Sequence, residues 1–248
     1  MLVAAAFAWA LTVRSWEEMG NGPGTMGLGL AGFVAVWTTM MAAMMLPAVA
    51  PVGSIYLQNI RLRATGWARA LRVAALLAGY LGVWAGVGIL AYVAALGAGR
   101  LVDEAPSAGR WVAAAILIVA GLYQLTPLKA ACLAHCRSPI GLLLHFGNYR
   151  GRLRDVRAGV YHGAYCAGCC WALFAVLVAV GIMNLAWMAG LAALVFVEKT
   201  WRHGAVLGIA VGVALVVYGC LIPFFPDLAP GLVQSPMPGM EPTIQMDG

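Results

Sequence analysis

Charge is what this chain has least of. Only 10% of its 248 residues are Asp, Glu, Lys or Arg, and just 9 of them are acidic. Soluble domains carry about 25% charged residues, so most of this surface is not built to face water. The same scarcity excludes disorder, which needs high charge and few apolar groups. No alternating apolar–polar run marks a strand, no 20–50-residue repeat is visible, and Walker A, nucleophile-elbow and Gly-rich dinucleotide patterns are missing. ATP hydrolysis, acyl chemistry and nucleotide redox chemistry have no foothold. The net charge of +6 rests on 15 Lys and Arg, too few for nucleic acid to be the reason for it.

What is present is apolar length. Hydrophobic residues make up 63% and the mean hydropathy is +0.89. A crossing helix needs about 20 apolar residues. Six runs qualify as full spans: 28–46 ending at Pro47, 71–96, 111–125 ending at Thr126-Pro127, 161–183, 185–197 and 205–222. The run 1–13 is short of a crossing. It reads as a short first helix, a chain whose true start lies upstream, or a signal-like segment; the last is disfavoured because no basic residue precedes it. The expectation is an all-α, polytopic helical membrane protein with six full transmembrane helices and a short N-terminal hydrophobic helix. An interfacial helix is expected in the 137–160 loop, where Pro139 to Phe146 is amphipathic. Three regions follow: an N-terminal segment and outer loop (1–27), the transmembrane domain (28–222) and a Pro/Met-rich tail (223–248).

Basic residues set the orientation. The stretches 47–72, 127–160 and 198–204 hold twelve of the 15 Lys and Arg, whereas 14–27, 98–110 and 223–248 hold only Arg14, Arg100 and Arg110. The positive-inside rule then puts the first set in the cytoplasm and the C-terminal tail outward, as expected for a multi-pass protein of a bacterial inner membrane. Gly79, Gly82, Gly86, Gly88, Gly208 and Gly212 read as sites of close helix packing.

Five of the 6 cysteines and three of the 4 histidines fall between 132 and 170. In Cys132-Leu-Ala-His135-Cys136 the donors stand at i, i+3 and i+4, and in His162-Gly-Ala-Tyr-Cys166-Ala-Gly-Cys169-Cys170 they repeat over two turns. On helices each segment presents one stripe of soft donors, and two antiparallel helices could close such stripes around one ion. A lone Cys in a membrane helix, such as Cys220, is ordinarily small apolar packing, but that account does not suit five clustered with histidines. Structural disulfides disagree with a reducing cytoplasmic side. The order Cys-x-x-His-Cys is not the c-type haem order.

The expected core ligands are Cys132, Cys136, Cys166 and Cys170, with His135, His162 and Cys169 as alternates or supporting groups. Cu(I) is favoured, and Zn²⁺ or an Fe–S cluster stand as alternatives. Met40, Met41, Met44 and Met45 form two i, i+4 pairs of soft thioethers, read either as core packing or as a secondary metal site. Met237, Met240 and Met246 add thioethers to the tail. Glu198 is read as snorkelling, as pairing with Lys199 or Arg202, or as an ion relay. Tyr123 and Gln124 are candidates for interhelical hydrogen bonds, Asn184 for a tight outer turn, and His203 for a solvated loop.

These residues resemble a bacterial family of predicted metal-binding integral membrane proteins, the domain of unknown function 2182. The resemblance lies in Met40-Met-Ala-Ala-Met-Met-Leu-Pro47, Gly79-Tyr-Leu-x-x-Trp84, Gly121-Leu-Tyr-Gln-Leu-Thr-Pro-Leu-Lys129 and Cys132-Leu-x-His-Cys-Arg-Ser-Pro139. It continues through Gly163-x-Tyr-Cys-x-Gly-Cys-Cys-Trp-Ala172, Gly181-x-Met-Asn184 and Glu198-Lys199, covering about residues 30 to 200. It implies an all-helical membrane fold and a metal site at the Cys and His residues named above. Members have a fuller first helix than this chain, and the Met-rich tail is not part of their pattern.

The leading expectation is a membrane protein that binds, delivers or moves Cu(I) without ATP, exchanging it with a metal-donating or metal-accepting protein. A second is a thiol-disulfide oxidoreductase using Cys166 and Cys169, with Cys132 and Cys136 as a second pair and a quinone as acceptor. A third is a structural or assembly subunit whose metal pins two helices together.

Overall fold

The computed structural model describes residues 2–19, 25, 27–61, 65–138, 151, 153–180 and 185–225. Among them are eight helices: α1 (Leu2–Met19), α2 (Leu30–Arg61), α3 (Gly66–Glu104), α4 (Pro106–Gln124), α5 (Pro127–Cys136), α6 (Arg154–Val180), α7 (Leu185–Thr200) and α8 (Gly204–Leu221). The fold is all-α. Five helices, α2, α3, α4, α6 and α8, are long and apolar enough to cross a membrane, and a shorter apolar stretch runs from Leu2 to Arg14. The run expected as a sixth span forms α7, whose 16 residues rise about 24 Å. The expected interfacial helix at Pro139 to Phe146, the turn at Asn184 and the methionines of the tail lie outside the described residues.

Helix ends depart from the apolar runs in one instructive place. Pro47 was expected to close a span, yet α2 continues through Pro47 and Pro51 to Arg61. A proline removes one backbone donor and opposes one carbonyl, but close packing in an apolar medium tolerates it. The residues around Pro47, from Met40 to Leu46 and at Ala48 and Val49, are all buried.

Helices α2 and α6 are the inner pair, with 61% of each span window buried, against 22% for α8. Helix α6 packs on α3, α4, α5 and α7, while α2 packs on α1, α3 and α7. The α3–α6 contact is a backbone contact. A Cβ on Gly159 would run into the Leu76 carbonyl and come within 2.8 Å of the Tyr80 amide nitrogen, and one on Gly79 would meet the Val156 carbonyl. At one end of this pair, Arg72 of α3 grips Asp155 of α6 with two hydrogen bonds of 3.1 Å, and Tyr56 of α2 donates to the same carboxylate. A buried carboxylate is stable only with such partners, so this clamp fixes three helices together.

Gly159→Ala should therefore lower stability by about 2 kcal/mol, because backbone atoms cannot move aside cheaply. Gly82 has nothing within 4 Å of an added Cβ, so Gly82→Ala should be neutral or stabilising by up to about 1 kcal/mol. Paired thermal melts in mild detergent test the contrast; equal effects would mean that α3 and α6 do not meet at backbone distance.

Candidate copper centre

Helix α5 begins at a built start signal. Thr126 caps it through its side chain, which accepts from the Lys129 amide at 3.3 Å, and Pro127 takes the first helical position, where its missing donor costs nothing. The helix then runs antiparallel to α6 and delivers Cys136 to it. On α6, Cys166, Cys169 and Cys170 share one inward face at i, i+3 and i+4.

The two stripes do meet. The Cys169 sulfur lies 3.9 Å from the Cys136 sulfur and 3.2 Å from that of Cys170, and also contacts the Cys166 carbonyl at 3.2 Å. Cys166 lies one turn before Cys169 and Cys170 on α6, and its sulfur is bonded to groups outside the thiol set. All four thiols are buried and none is in a disulfide. The neighbouring Cys166 is the main cause holding the Cys136 thiol above its ordinary pKa, so Cys136 keeps its proton at neutral pH.

Two groups outside the Cys/His pattern complete the surroundings. Lys199 of α7 donates to the Cys166 sulfur at 2.8 Å, and the Tyr80 hydroxyl lies 3.0 Å from it. Neither role was read from the sequence. The signal for Lys199 was nonetheless there: Met188, Leu191, Val195 and Glu198 form the buried face of α7, and Lys199 continues it. A buried ammonium beside a sulfur stabilises the thiolate, as in other activated cysteines.

The remaining expected donors are close but differently engaged. Cys132 is half-buried, and its sulfur sits 3.3 Å from where a Cβ on Gly168 would stand, against α6; among the described residues it joins none of the sulfur contacts above. Cys169, expected as an alternate ligand, instead stands inside the cluster. His135 stacks on Tyr165 with centroids 4.0 Å apart, and His162 stacks on Tyr80 at 5.9 Å. Among the described residues, His135 Nε2 and His162 Nδ1 are both buried without a partner, which leaves a nitrogen on each for a ligand. Met40, Met41, Met44 and Met45 are fully buried and belong to the same continuous core as the four thiols.

Two of the expectations about polar residues, those for Glu198 and Gln124, come out differently. Glu198 pairs with Lys129 of α5, not with Lys199 or Arg202, because its neighbour Lys199 faces the thiols. Tyr123 does bond across helices, donating to the Gly168 carbonyl at 2.6 Å, but Gln124 has no hydrogen-bond partner among the described residues. His203 is exposed, as expected.

Among the described residues, no set of three or more His, Cys, Asp or Glu has the arrangement of a formed metal site. The donors nevertheless suit a soft ion. With metal–sulfur bonds of about 2.3 Å, two thiolates on one ion stand roughly 4 Å apart, close to the 3.9 Å between Cys136 and Cys169. A family model described as "PpoB2: Copper chaperone" matches residues 34–222, which include all of these groups. The chain belongs to the PpoB2 copper chaperone family. No curated protein and no solved structure matches it. The family is compatible with the resemblance drawn from the motifs and adds the metal, since copper is the soft ion that thiolate and thioether favour.

Lys199→Met would strip the cation from Cys166. Alkylation of Cys166 by a small membrane-permeant reagent should then slow about tenfold, while exposed Cys220 reacts unchanged. Mass spectrometry of the alkylated peptides reads both; an unchanged Cys166 rate would mean that Lys199 does not support a thiolate.

Proposed function

We propose that the chain is a membrane-embedded carrier that holds Cu(I) at the sulfur cluster of Cys136, Cys166, Cys169 and Cys170 and passes it to a protein partner without ATP. The observation that carries this reading is the enclosed four-sulfur cluster beside a single ammonium. Each thiol that takes Cu(I) releases its proton, and two thiolates with one Cu(I) leave one net negative charge. Lys199, at 2.8 Å from Cys166, offsets that charge where water is absent. Unpaired hard cations such as Mg²⁺ or Ca²⁺ find no oxygen cage in this cluster.

His135 and His162, each with a ring nitrogen unpartnered among the described residues, stand beside the thiols as exchange ligands, and Cys132 marks the outer edge of the same stripe. The methionines at 40, 41, 44 and 45 continue soft-donor chemistry along α2. Thioethers are neutral, so they bind Cu(I) without proton release and suit a transfer step better than a storage site. The basic stretches support an inner-membrane topology with the cluster toward the cytoplasm and the C-terminus outward.

Protein purified without oxygen should carry about one copper per chain, and Cys166→Ser with Cys170→Ser should lose it. Elemental mass spectrometry on matched samples is the check. Zinc or iron in place of copper, or copper retained by the double variant, would overturn the assignment. A tag at residue 240 should be reached from outside in intact spheroplasts; protection of the tag would reverse the topology.

A further inference from the structure

A chamber of about 250 Å³ opens between α4, α5, α7 and α8, walled in part by Gln124, Lys129, Glu198, Ala205 and Gly208; none of the four clustered thiols lines it. Helix ends fix its depth. Helix α4 stops at Gln124, α7 stops at Thr200 and α8 starts at Gly204, so the chamber lies where the spans leave the apolar layer. Trp201, directly after α7, is 49% exposed, and indole rings favour the headgroup region. The mouth is apolar: Leu125 and Ile209 line the chamber and are 43% and 52% exposed. In a membrane, lipid stands at such a mouth.

Its inner wall is polar. Lys129 and Glu198 form an ion pair with side chains 3% and 1% exposed. That pair occupies one carboxylate oxygen and one of the ammonium hydrogens. Gly208 brings α8 against it, since a Cβ there would come within 3.2 Å of Lys129 Nζ. Among the described residues, Glu198 Oε2 and both side-chain polar atoms of Gln124 are buried without a hydrogen-bond partner, and Gln124 itself is 4% exposed. Helix α8 starts without a side-chain cap, which leaves first-turn amides, that of Ala205 among them, without helix acceptors. Donors and acceptors both stand unpaired around one space.

Charge selects neither a simple cation nor a simple anion. The Lys129 and Glu198 charges cancel. The C-terminal ends of α4 and α7 each bring about half a negative charge, and the N-terminal ends of α5 and α8 each return about half a positive one. The site is neutral overall, yet it offers a carboxylate oxygen to a donor and ammonium hydrogens to an acceptor. Both are satisfied best by groups of full opposite charge, so the matching occupant is a zwitterion.

We propose that the chamber holds the headgroup of a phosphoethanolamine lipid. Its ammonium donates to Glu198 Oε2 and Gln124 Oε1, and its phosphate accepts from Lys129, Gln124 Nε2 and the first-turn amides of α8. The acyl chains leave past Leu125 and Ile209. A phosphocholine headgroup has no N–H to give a carboxylate, and a phosphoglycerol headgroup has no cation, so neither satisfies both poles. The site does not rest on the copper reading.

Thermal melts of the purified full chain in a non-ionic detergent test the site, with phosphatidylethanolamine, phosphatidylcholine or phosphatidylglycerol of identical acyl chains added to the micelles. The ethanolamine lipid should raise the melting temperature saturably, by about 5 °C at a hundredfold excess over its Kd, and the other two should give less than half that shift. Gln124→Leu, which keeps the ion pair, should move the half-saturating lipid fraction up about tenfold. Glu198→Gln alone would strand Lys129, so the deletion of the site is Glu198→Gln with Lys129→Met; a sharp melt and a monodisperse gel-filtration peak show that it folds. That double variant should respond alike to all three lipids. Equal shifts of the wild type by all three, or an ethanolamine preference unchanged in Gln124→Leu or retained in the double variant, would overturn the proposal and leave the chamber to water.

Discussion

The backbone contact between α3 and α6 is the constraint on which the rest of the molecule depends. Gly79, Gly159 and Gly163 leave no side chain between the two helices, and a Cβ on Gly163 would come within 3.1 Å of the Tyr80 carbonyl. At that separation the Tyr80 ring stacks on His162 with centroids 5.9 Å apart and its hydroxyl reaches Cys166. In lipid there is no hydrophobic drive between helices, so close van der Waals packing supplies the association. A larger residue at any of these glycines would move the aromatic floor of the sulfur cluster as well as the helix that carries it.

Polar groups then decide which faces meet. Asp155 is held by Arg72 and Tyr56, Glu198 by Lys129, and Cys166 by Lys199. Each pairing joins different helices, so each fixes a register that apolar contacts alone would leave loose. Removing one partner leaves a buried charge uncompensated, which is far more costly than removing both.

Much of this was legible in the sequence, for reasons that can be named. Apolar run length gave the spans because the membrane sets a minimum, and helical spacing correctly placed Cys136 on the face that meets Cys169. Helix ends were less legible: α2 passes through Pro47 because tertiary packing outweighs a local breaker. The partner of Glu198 was misjudged by nearness in sequence. Lys199 is instead engaged by the Cys166 sulfur, and the partner of Glu198 lies 69 positions away in the sequence. Lys199 and Tyr80 escaped notice because their importance arises only when three helices converge, which no spacing within one segment can express.

Glu198 and Lys199 occupy a single turn at the end of α7, and this has a mechanical consequence. One side chain pairs with Lys129 and the other touches sulfur, yet both hang from the same stretch of backbone. A small twist or slide of that turn cannot loosen one contact without reloading the other. The end of α7 is a lever with two loads, and its fulcrum is the peptide bond between these residues.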